Sequence, residues 1–228
     1  MAYHSMGGDT TALADYASAF ANDPNIVDAH GSRAEAYIDL KQYANAVSDC
    51  TIEMGNHARK WQLYYVRGKA YAGMGNLTAA RADLVRACQF DNGREPTVEL
   101  NVKVLEDVQD YVGAAQVEQL AVANDPSNAH AWGSFGWRQY EAGDIKGAIA
   151  SDLKSTSLPQ APVWVHSNLG LCYAVQGDWA KANLEYALEK TDPNPTTRKG
   201  SVDDIQNALK QQPNNPTLKK TLAFMTSA

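Results

Sequence analysis

Side chains that can do chemistry occur throughout this sequence, but their spacing matches no local reactive motif. The five histidines include no pair four residues apart and no HExxH segment, so no helix presents a pair of zinc ligands. Cys50, Cys88 and Cys172 are far apart, form no CxxC pair and make an odd count, which argues against a zinc site or a disulfide framework. We expect them to be small packing residues.

The carboxylates and glycines are equally poor signals of catalysis. Glu106-Asp107 and Asp203-Asp204 are adjacent pairs, and adjacent helix residues point in different directions, so we interpret both pairs as solvated faces. The fragments HSMGGDT and GKAYAGMGN do not fit the phosphate-binding pattern GxxxxGK[ST] and are better explained as turns. We expect no enzymatic activity, no metal and no cofactor.

The overall composition is that of an ordinary globular protein. Of the 228 residues, 44% are apolar and 20% are charged, and no apolar run approaches the roughly 20 residues of a membrane-spanning helix. The net charge of −6 argues against binding to nucleic acid, which requires clustered lysines and arginines. The start, MAYHSMGGDT, lacks the pattern of a secretory signal, so a cytoplasmic location is expected.

A repeat of 34 residues organises the chain. Alanine recurs at this interval without insertion or deletion, at Ala12, Ala46, Ala80, Ala114, Ala148 and Ala182. Two glycine series keep the same phase, namely Gly68, Gly136 and Gly170, and Gly7, Gly75, Gly143 and Gly177. A fixed period of this length indicates stacked supersecondary units, so most residues that look unusual in isolation have a structural place in the repeat.

The pattern resembles the tetratricopeptide repeat, in which W-x2-L-G-x2-Y, then A-x3-F, then P mark a helix–turn–helix unit. The segment WGSFGWRQYEAGD supplies Trp132, Phe135 and Gly136 at the W, L and G places, followed by a Gly-Asp turn. In other repeats His30 and His166 hold the tryptophan place, and we expect both histidines to pack in the core.

The resemblance implies an all-α, right-handed superhelical solenoid of antiparallel helix pairs. The expected segments are a half repeat at 1–26, five full repeats at 27–60, 61–94, 95–128, 129–162 and 163–195, and C-terminal capping helices at 196–228. Place eight holds glycine or alanine in four of the five repeats, and Val102 in the third. The small residue is expected to face the alanine at place twenty, because two helices that cross at about 8–10 Å leave no room for larger side chains. The glycine at place fifteen can end the first helix in a left-handed conformation.

The C-terminal end departs from the period. The segment SVDDIQNALKQQ predicts a helix that begins near Ser201, which precedes Asp204 as in a capping box. After two prolines, TLKKTLAFM predicts a last short helix. Such terminal helices are expected to cover the apolar end of a solenoid.

In the tetratricopeptide family, six places of each first helix line a concave groove that binds a peptide or a partner's helix. The resemblance therefore implies a set of groove residues in this chain. The candidates are Glu35, Asp39, Tyr65, Lys69, Glu99, Lys103, His130, Trp137, Tyr140, Trp164, Asn168 and Leu171. Because these side chains are acidic in the early repeats and aromatic or apolar in the later ones, the expected partner is a protein or peptide with basic and apolar groups.

Family members that grip a chaperone's C-terminal carboxylate use lysine, arginine and asparagine at defined groove places. Here those places hold Gly31, Glu35, Val66, Pro96 and Leu100. A co-chaperone of this carboxylate-clamp type is therefore not expected, and a scaffold or adaptor for another partner is.

Several alternatives stay open. Trp137, Tyr140 and Trp164 are the expected anchors for a partner, because these residue types dominate binding hot spots. The same rings could instead pack against the helices of 201–226 or against a neighbouring subunit. The half repeat around Tyr3 could pair with another copy in a structural, self-assembling array, and the chain could be the regulatory portion of a larger enzyme.

Overall fold

A computed structural model describes residues 9–23, 26, 28–56, 59–192 and 194–227. Over these residues the chain forms α-helices and no β-strand, which confirms the all-α helical repeat fold predicted from the sequence. The helices are α1 (Asp9–Asn22), α2 (Ala29–Asp39), α3 (Tyr43–Asn56), α4 (Trp61–Gly73), α5 (Leu77–Phe90), α6 (Glu95–Asp107), α7 (Tyr111–Asn124), α8 (Ala129–Glu141), α9 (Ile145–Thr156), α10 (Trp164–Gln176), α11 (Trp179–Glu189), α12 (Pro195–Gln211) and α13 (Pro216–Thr226). They form two compact units, an N-terminal unit, Met1–Asn124, and a C-terminal unit, Asp125–Ala228.

The helices of the N-terminal unit pack as hairpins, α2 with α3, α4 with α5 and α6 with α7. The alanines of the repeat lie in these hairpins, where Ala46, Ala80 and Ala114 are fully buried. A Cβ added to Gly68 would lie 2.8 Å from the Cδ2 atom of Leu84, so α4 and α5 cross closely enough to require a glycine.

Two ion pairs in this unit are related by the period. Arg33 donates two hydrogen bonds to the carboxylate of Asp49, both at 2.7 Å, and Arg67 donates two to Asp83, at 2.7 and 2.9 Å. Each pair joins the first helix of a hairpin to the second. The paired donors fix the relative orientation of the two helices, because a guanidinium and a carboxylate meet in one planar geometry.

A residue with a left-handed backbone follows the first helix of each of five hairpins. Gly75, Gly143 and Gly177 have φ values of 75°, 85° and 87°, as predicted for this glycine place. Lys41 and Gln109 hold the same place in the other two hairpins, and each has a φ of 58°. Two hairpins therefore keep the turn without the residue that adopts it most easily.

The C-terminal unit contains the hairpins α8/α9 and α10/α11, followed by α12 and α13. Helix α12 packs on α10 and α13, and α13 also packs on α10 and α11. One core cluster joins α10, α11, α12 and α13. Its buried members are Leu169, Leu171, Tyr173, Ala174, Ala182, Tyr186, Ile205, Ala208, Leu218 and Met225.

The predicted start of α12 at Ser201 was wrong. The helix begins at Pro195, and the side chain of Asn194 caps it by accepting a hydrogen bond from the backbone N–H of Thr196 at 3.0 Å. Ser201 is a buried residue inside the helix and donates a hydrogen bond to Glu189 at 2.7 Å. Asparagine before proline is the stronger start signal, because the asparagine supplies the cap and the proline lacks only a donor that the first turn leaves unused.

Candidate functional site

A pocket of about 260 Å³ opens in the C-terminal unit between α8, α10 and α12. Its lining residues are Ser134, Trp137, Arg138, Trp164, Asn168 and Asp204. Three of them, Trp137, Trp164 and Asn168, are among the groove residues that the sequence predicted. The pocket therefore brings side chains from two first helices of the repeat together with a carboxylate from the C-terminal segment.

Aromatic rings form one wall of this pocket and extend beyond it. Trp137 and Tyr140, one turn apart on α8, stack with ring centroids 5.3 Å apart and an angle of 25° between the planes. His130, at the start of α8, meets Trp164 of α10 edge to face at 5.4 Å. Both tryptophans are half-buried, so each keeps part of its surface exposed.

A glycine on α8 sets the position of Trp164. A Cβ added to Gly133 would lie 2.6 Å from Val165 and 2.7 Å from the indole of Trp164, both on α10. Any side chain at Gly133 would therefore push the indole away from α8. The pocket depends on this close approach of the two helices.

The pocket lining carries one guanidinium, that of Arg138, and one carboxylate, that of Asp204. Arg138 donates a hydrogen bond to Glu141 at 2.7 Å, so its charge is paired within α8. Burial, together with smaller contributions from the charges of Asp203 and Glu141, raises the pKa of Asp204 to about 6. The sequence-based interpretation of Asp203-Asp204 as a solvated face is thus wrong for Asp204, which α12 turns toward the pocket.

A second buried carboxyl lies next to this site. Asp152 of α9 is fully buried against α8, where a Cβ added to Gly136 would overlap its carboxylate. Burial raises the pKa of Asp152 to about 8, which outweighs the opposite influence of Asn168. The amide of Asn168 is near this carboxylate but not in hydrogen-bonding geometry, and no described residue donates a hydrogen bond to it.

Sequence reasoning missed Asp152, although the repeat contains the signal. Asp152 holds place twenty-four, where the family pattern has an aromatic residue. The residues at this place are Cys50, Leu84, Glu118, Asp152 and Tyr186. Apart from Glu118 and Asp152, these residues are apolar or aromatic, so a carboxyl at this place predicts a buried acid, because the neighbouring repeats fix the direction in which the side chain points. Glu118 is buried as well, with 8% of its surface exposed.

The remaining candidates of the C-terminal unit lie deeper. Leu171 is 2% exposed and belongs to the core cluster, together with Ile205 and Ala208 of α12. Trp137 and Tyr140 also pack against this cluster. Helix α12 thus covers part of the face of α10 that the sequence assigned to the groove.

The candidates of the N-terminal unit form a smaller group. The ammonium of Lys69 lies over the ring of Tyr65, 5.5 Å from its centroid. The pKa of Tyr65 is raised by burial and by the charge of Glu35 on α2, so these three side chains lie near one another. Lys103 pairs with Asp107 on the exposed side of α6, at 3.1 Å. Of the other candidates in this unit, Asp39 and Glu99 are both exposed.

Other kinds of site were sought over the described residues. No group of three His, Cys, Asp or Glu side chains there could hold a metal ion. None of the helices in the described part of the chain is both long and apolar enough to cross a membrane. Tyr3, which the sequence analysis placed at a self-pairing surface, lies outside the described residues.

Comparison with known proteins gives one family match. The model of the tetratricopeptide repeat matches residues 62–93, which contain most of the α4/α5 hairpin. No curated protein matches the sequence.

Solved structures of low sequence identity resemble the chain. A structure of Naa15/Naa10 bound to HypK-THB is similar with a TM-score of 0.55 and 14% identity, over 95% of this chain and 36% of that one. YrrB, a tetratricopeptide repeat protein with an unusual peptide-binding site, is similar with a TM-score of 0.49 and 15% identity, over 90% of this chain and 96% of that one. A tetratricopeptide repeat protein from Parabacteroides merdae gives a TM-score of 0.43 and 14% identity, over 97% of this chain and 79% of that one. The family match identifies residues 62–93 as a tetratricopeptide repeat, and the 34-residue period and the other helix hairpins of the chain resemble that repeat.

Proposed function

We propose that this chain is a non-enzymatic scaffold or adaptor that binds a peptide or a partner helix through the inner faces of its first helices. Tetratricopeptide repeat proteins bind other proteins or peptides, and their fold is typically an interaction scaffold without catalytic activity. The partner proposed here carries basic and apolar groups. The observation that carries the proposal is the aromatic pocket between α8, α10 and α12.

The aromatic wall supports a partner with apolar groups. Trp137 and Trp164 are held in place on one side by Tyr140 and His130, while part of each indole stays exposed. An apolar side chain laid on these rings would remove their remaining surface from water, which contributes about 25 cal/mol per Å². Rigid aromatic rings lose little conformational freedom when they are covered, so they are efficient anchors.

The charge of the candidate residues supports a partner with basic groups. In the N-terminal unit, Glu35, Asp39 and Glu99 are exposed on α2 and α6. In the C-terminal unit, the carboxylate of Asp204 lines the pocket. Each unit can therefore attract basic residues by itself, and this attraction should weaken at high salt.

The packing around Gly31 supports the exclusion of a carboxylate clamp. At this place a clamp uses lysine, whereas a Cβ added to Gly31 would already lie 3.0 Å from the side chain of Leu63. A lysine there would have to displace a core leucine. Glu35, which holds another clamp place, would repel the terminal carboxylate of a ligand.

The test is a peptide-array screen with the full-length chain, followed by titration of the peptides that bind. We expect Trp164→Ala to weaken binding by about tenfold or more, because truncation of a hot-spot aromatic costs about 2 kcal/mol. The matched control is Trp179→Ala, since Trp179 also begins its helix and is half-buried but packs against Phe224, away from the pocket.

Two results would overturn the proposal. The first is a screen in which no peptide or protein binds the intact chain. The second is a set of binding peptides whose affinity is lowered equally by Trp164→Ala and Trp179→Ala, because such a loss would report general destabilisation. Circular dichroism of both variants checks that their helix content is unchanged.

A further inference from the structure

We propose that the pocket between α8, α10 and α12 receives one cationic side chain of the partner, arginine in preference to lysine, with Asp204 of α12 as its counter-ion. This inference rests on the proposed function and names the chemistry that the pocket recognises. It also gives α12 a second role, because a helix beyond the periodic array then supplies a charged group to the binding site.

The shape and lining of the pocket fit a flat cation. Trp137 and Trp164 contribute indole rings from two different helices to a cavity of about 260 Å³. Indole faces attract cations, and a planar guanidinium can stack on them more closely than a strongly hydrated ammonium group. Arginine also buries the apolar part of its side chain against such rings.

The charged side chains around the pocket carry a net negative charge, which a bound cation would neutralise. Three carboxylates, those of Asp203, Asp204 and Glu141, lie at this end of the unit with one guanidinium, that of Arg138. Arg138 donates to Glu141. No described residue donates a hydrogen bond to Asp204, and only burial and like charges act on its pKa. A ligand guanidinium would supply the missing opposite charge and two parallel donors.

The hydroxyl groups of Tyr140 and Tyr186 do not change the net charge around the pocket. Burial raises the pKa of Tyr140 to about 12, with the charges of Asp204 and Glu141 adding to the effect. Burial also raises the pKa of Tyr186, which feels the charge of Asp204 as well. Both phenols are neutral near pH 7. Asp152, whose pKa is raised to about 8, is not among the lining residues, so Asp204 is the lining carboxyl that titrates close to neutral pH.

Asn168 is the remaining polar group of the lining. It is 8% exposed, but its side-chain nitrogen is buried and lies near the carboxyl of Asp152. This nitrogen is not accessible to a ligand, so Asp204 is the polar group that pairs with the cation.

The test uses four variants of one peptide from the array, which carry arginine, lysine, citrulline or norleucine at the same position. Citrulline is the sharp control, because it keeps the planar shape of arginine and removes its charge. We expect the arginine peptide to bind about tenfold more tightly than the citrulline peptide, because a hydrogen bond between charged groups contributes about that factor to affinity. The lysine peptide should bind with intermediate affinity.

Variants of the protein assign this preference to the pocket. Asp204→Asn should remove the preference for arginine over citrulline, whereas Asp203→Asn, an exposed neighbour on the same helix, should keep most of it. The affinity of the arginine peptide for the unaltered chain should increase from pH 5 to pH 7 and then level off. A cation favours the ionised form of Asp204, so binding below its pKa of about 6 must release a proton.

The outcomes separate this inference from the proposed function. If peptides bind in a Trp164-dependent way but citrulline serves as well as arginine, the pocket does not recognise a cation and only the inference fails. Equal loss of the arginine preference in Asp203→Asn and Asp204→Asn would also overturn it, since the effect would then be general electrostatic attraction. If no peptide binds the chain at all, the proposed function itself fails.

Discussion

At the scale of single residues, the repeat determines the place of a side chain more reliably than its role. His30 and His166 were predicted to pack at the tryptophan place, and both are partly buried there. Each also contacts a carboxylate of the second helix of its hairpin. The Nδ1 atom of His30 lies 3.3 Å from Asp49, and that of His166 lies 2.7 Å from Glu185. Because the period says nothing about such pairs, only the structure assigns the two histidines a polar role in addition to packing.

The turns of the repeat allow a test on two residues. Lys41 and Gln109 adopt a left-handed backbone at the place that glycine holds in three other hairpins. A side chain in this conformation costs about 1–2 kcal/mol, which replacement by glycine relieves. Part of this relief is offset, because glycine loses more conformational entropy on folding. We expect Lys41→Gly and Gln109→Gly each to raise the free energy of unfolding by about 0.5–1 kcal/mol in urea titrations.

The control for this prediction is Gln119→Gly. Gln119 is exposed in the interior of α7, so glycine there should lower stability by about 1 kcal/mol. A stability loss at all three positions would show that the left-handed turns carry no strain that glycine can relieve.

Asp152 makes the stability of the C-terminal unit depend on pH. The folded chain holds the proton of Asp152 up to a pKa of about 8, whereas an unfolded aspartate ionises near its usual value of 3.8. Between these values the folded state binds more protons, so the free energy of unfolding falls as pH rises, by at most about 1.4 kcal/mol per unit from this group. We expect Asp152→Asn to flatten this fall between pH 5 and 8.

Tryptophan fluorescence during urea unfolding measures the effect, because Trp132, Trp137, Trp164 and Trp179 all lie in the C-terminal unit. Part of the decrease in the free energy of unfolding with pH should persist in Asp152→Asn, since the pKa of Asp204 is raised as well. Asp15→Asn, an exposed change on α1, is the control and should leave the pH dependence unaltered. An unchanged pH dependence in Asp152→Asn would contradict the assignment.

At the scale of helices, the crossing of paired helices is what the sequence predicts best. Glycine at place eight meets a side chain of place twenty-four in three hairpins, Gly68 with Leu84, Gly136 with Asp152, and Gly170 with Tyr186. The close crossing was predicted, but the expected partner was the alanine of place twenty, and the backbone oxygens of Ala80 and Ala148 lie farther from the added Cβ atoms, at 3.4 and 3.2 Å. The position of α12 was not predictable in the same way, because it lies outside the period and its packing on α10 depends on contacts between segments that are distant in sequence. The sequence analysis therefore assigned Asp204 to a solvated face and could not predict its position in the pocket.

The close crossing of α8 and α9 predicts that a methyl group added at Gly136 lowers the stability of the fold. A Cβ at Gly136 would overlap the carboxylate of Asp152, and it would lie 3.2 Å from the backbone oxygen of Ala148. We expect Gly136→Ala to destabilise the chain by about 1–3 kcal/mol, as overpacking of a buried contact does.

Gly200→Ala is the matched change in the same unit. Gly200 is an exposed residue inside α12, and a Cβ there would meet no atom within 4 Å. Alanine is favoured over glycine in a helix by about 1 kcal/mol, so this variant should be stabilised. Opposite signs in thermal or urea unfolding support the close crossing, and destabilisation of both variants to the same extent contradicts it.

At the scale of the whole molecule, composition and period predicted the class of protein, while the charged chemistry of its pocket required the structure. The alanine series indicates stacked repeat units of 34 residues, and the resemblance of the pattern to the tetratricopeptide repeat implies the all-α fold. The pocket depends on three departures from the repeat. Trp137 and Trp164 are aromatic where the pattern requires no aromatic residue, and Asp204 follows the last full repeat. A pattern predicts what the repeats share, so features that belong to one repeat must be found by inspection of the packed chain.

The buried thiols provide a test of stability along the whole chain. Cys50, Cys88 and Cys172 are fully buried, and burial raises the pKa of Cys50 and of Cys88 to about 12. Burial raises the pKa of Cys172 as well, with the charge of Asp152 adding to the effect. Because the thiolate is the reactive form, we expect all three thiols of the native protein at pH 8 to react with a disulfide reagent at least about a thousandfold more slowly than in urea.

Variants with one cysteine each locate the openings through which the thiols react. Repeat arrays open locally, since each unit is stabilised mainly by contacts with its neighbours. We expect Asp152→Asn to slow the labelling of Cys172 at pH 8, because this change removes the buried carboxyl from the C-terminal unit, and to leave the labelling of Cys50 unchanged. Cys50 is the internal control, since it lies in the N-terminal unit. Equal slowing of both thiols would show that the chain opens as one cooperative body. Rapid labelling of any thiol without urea would contradict the predicted protection of that thiol by burial.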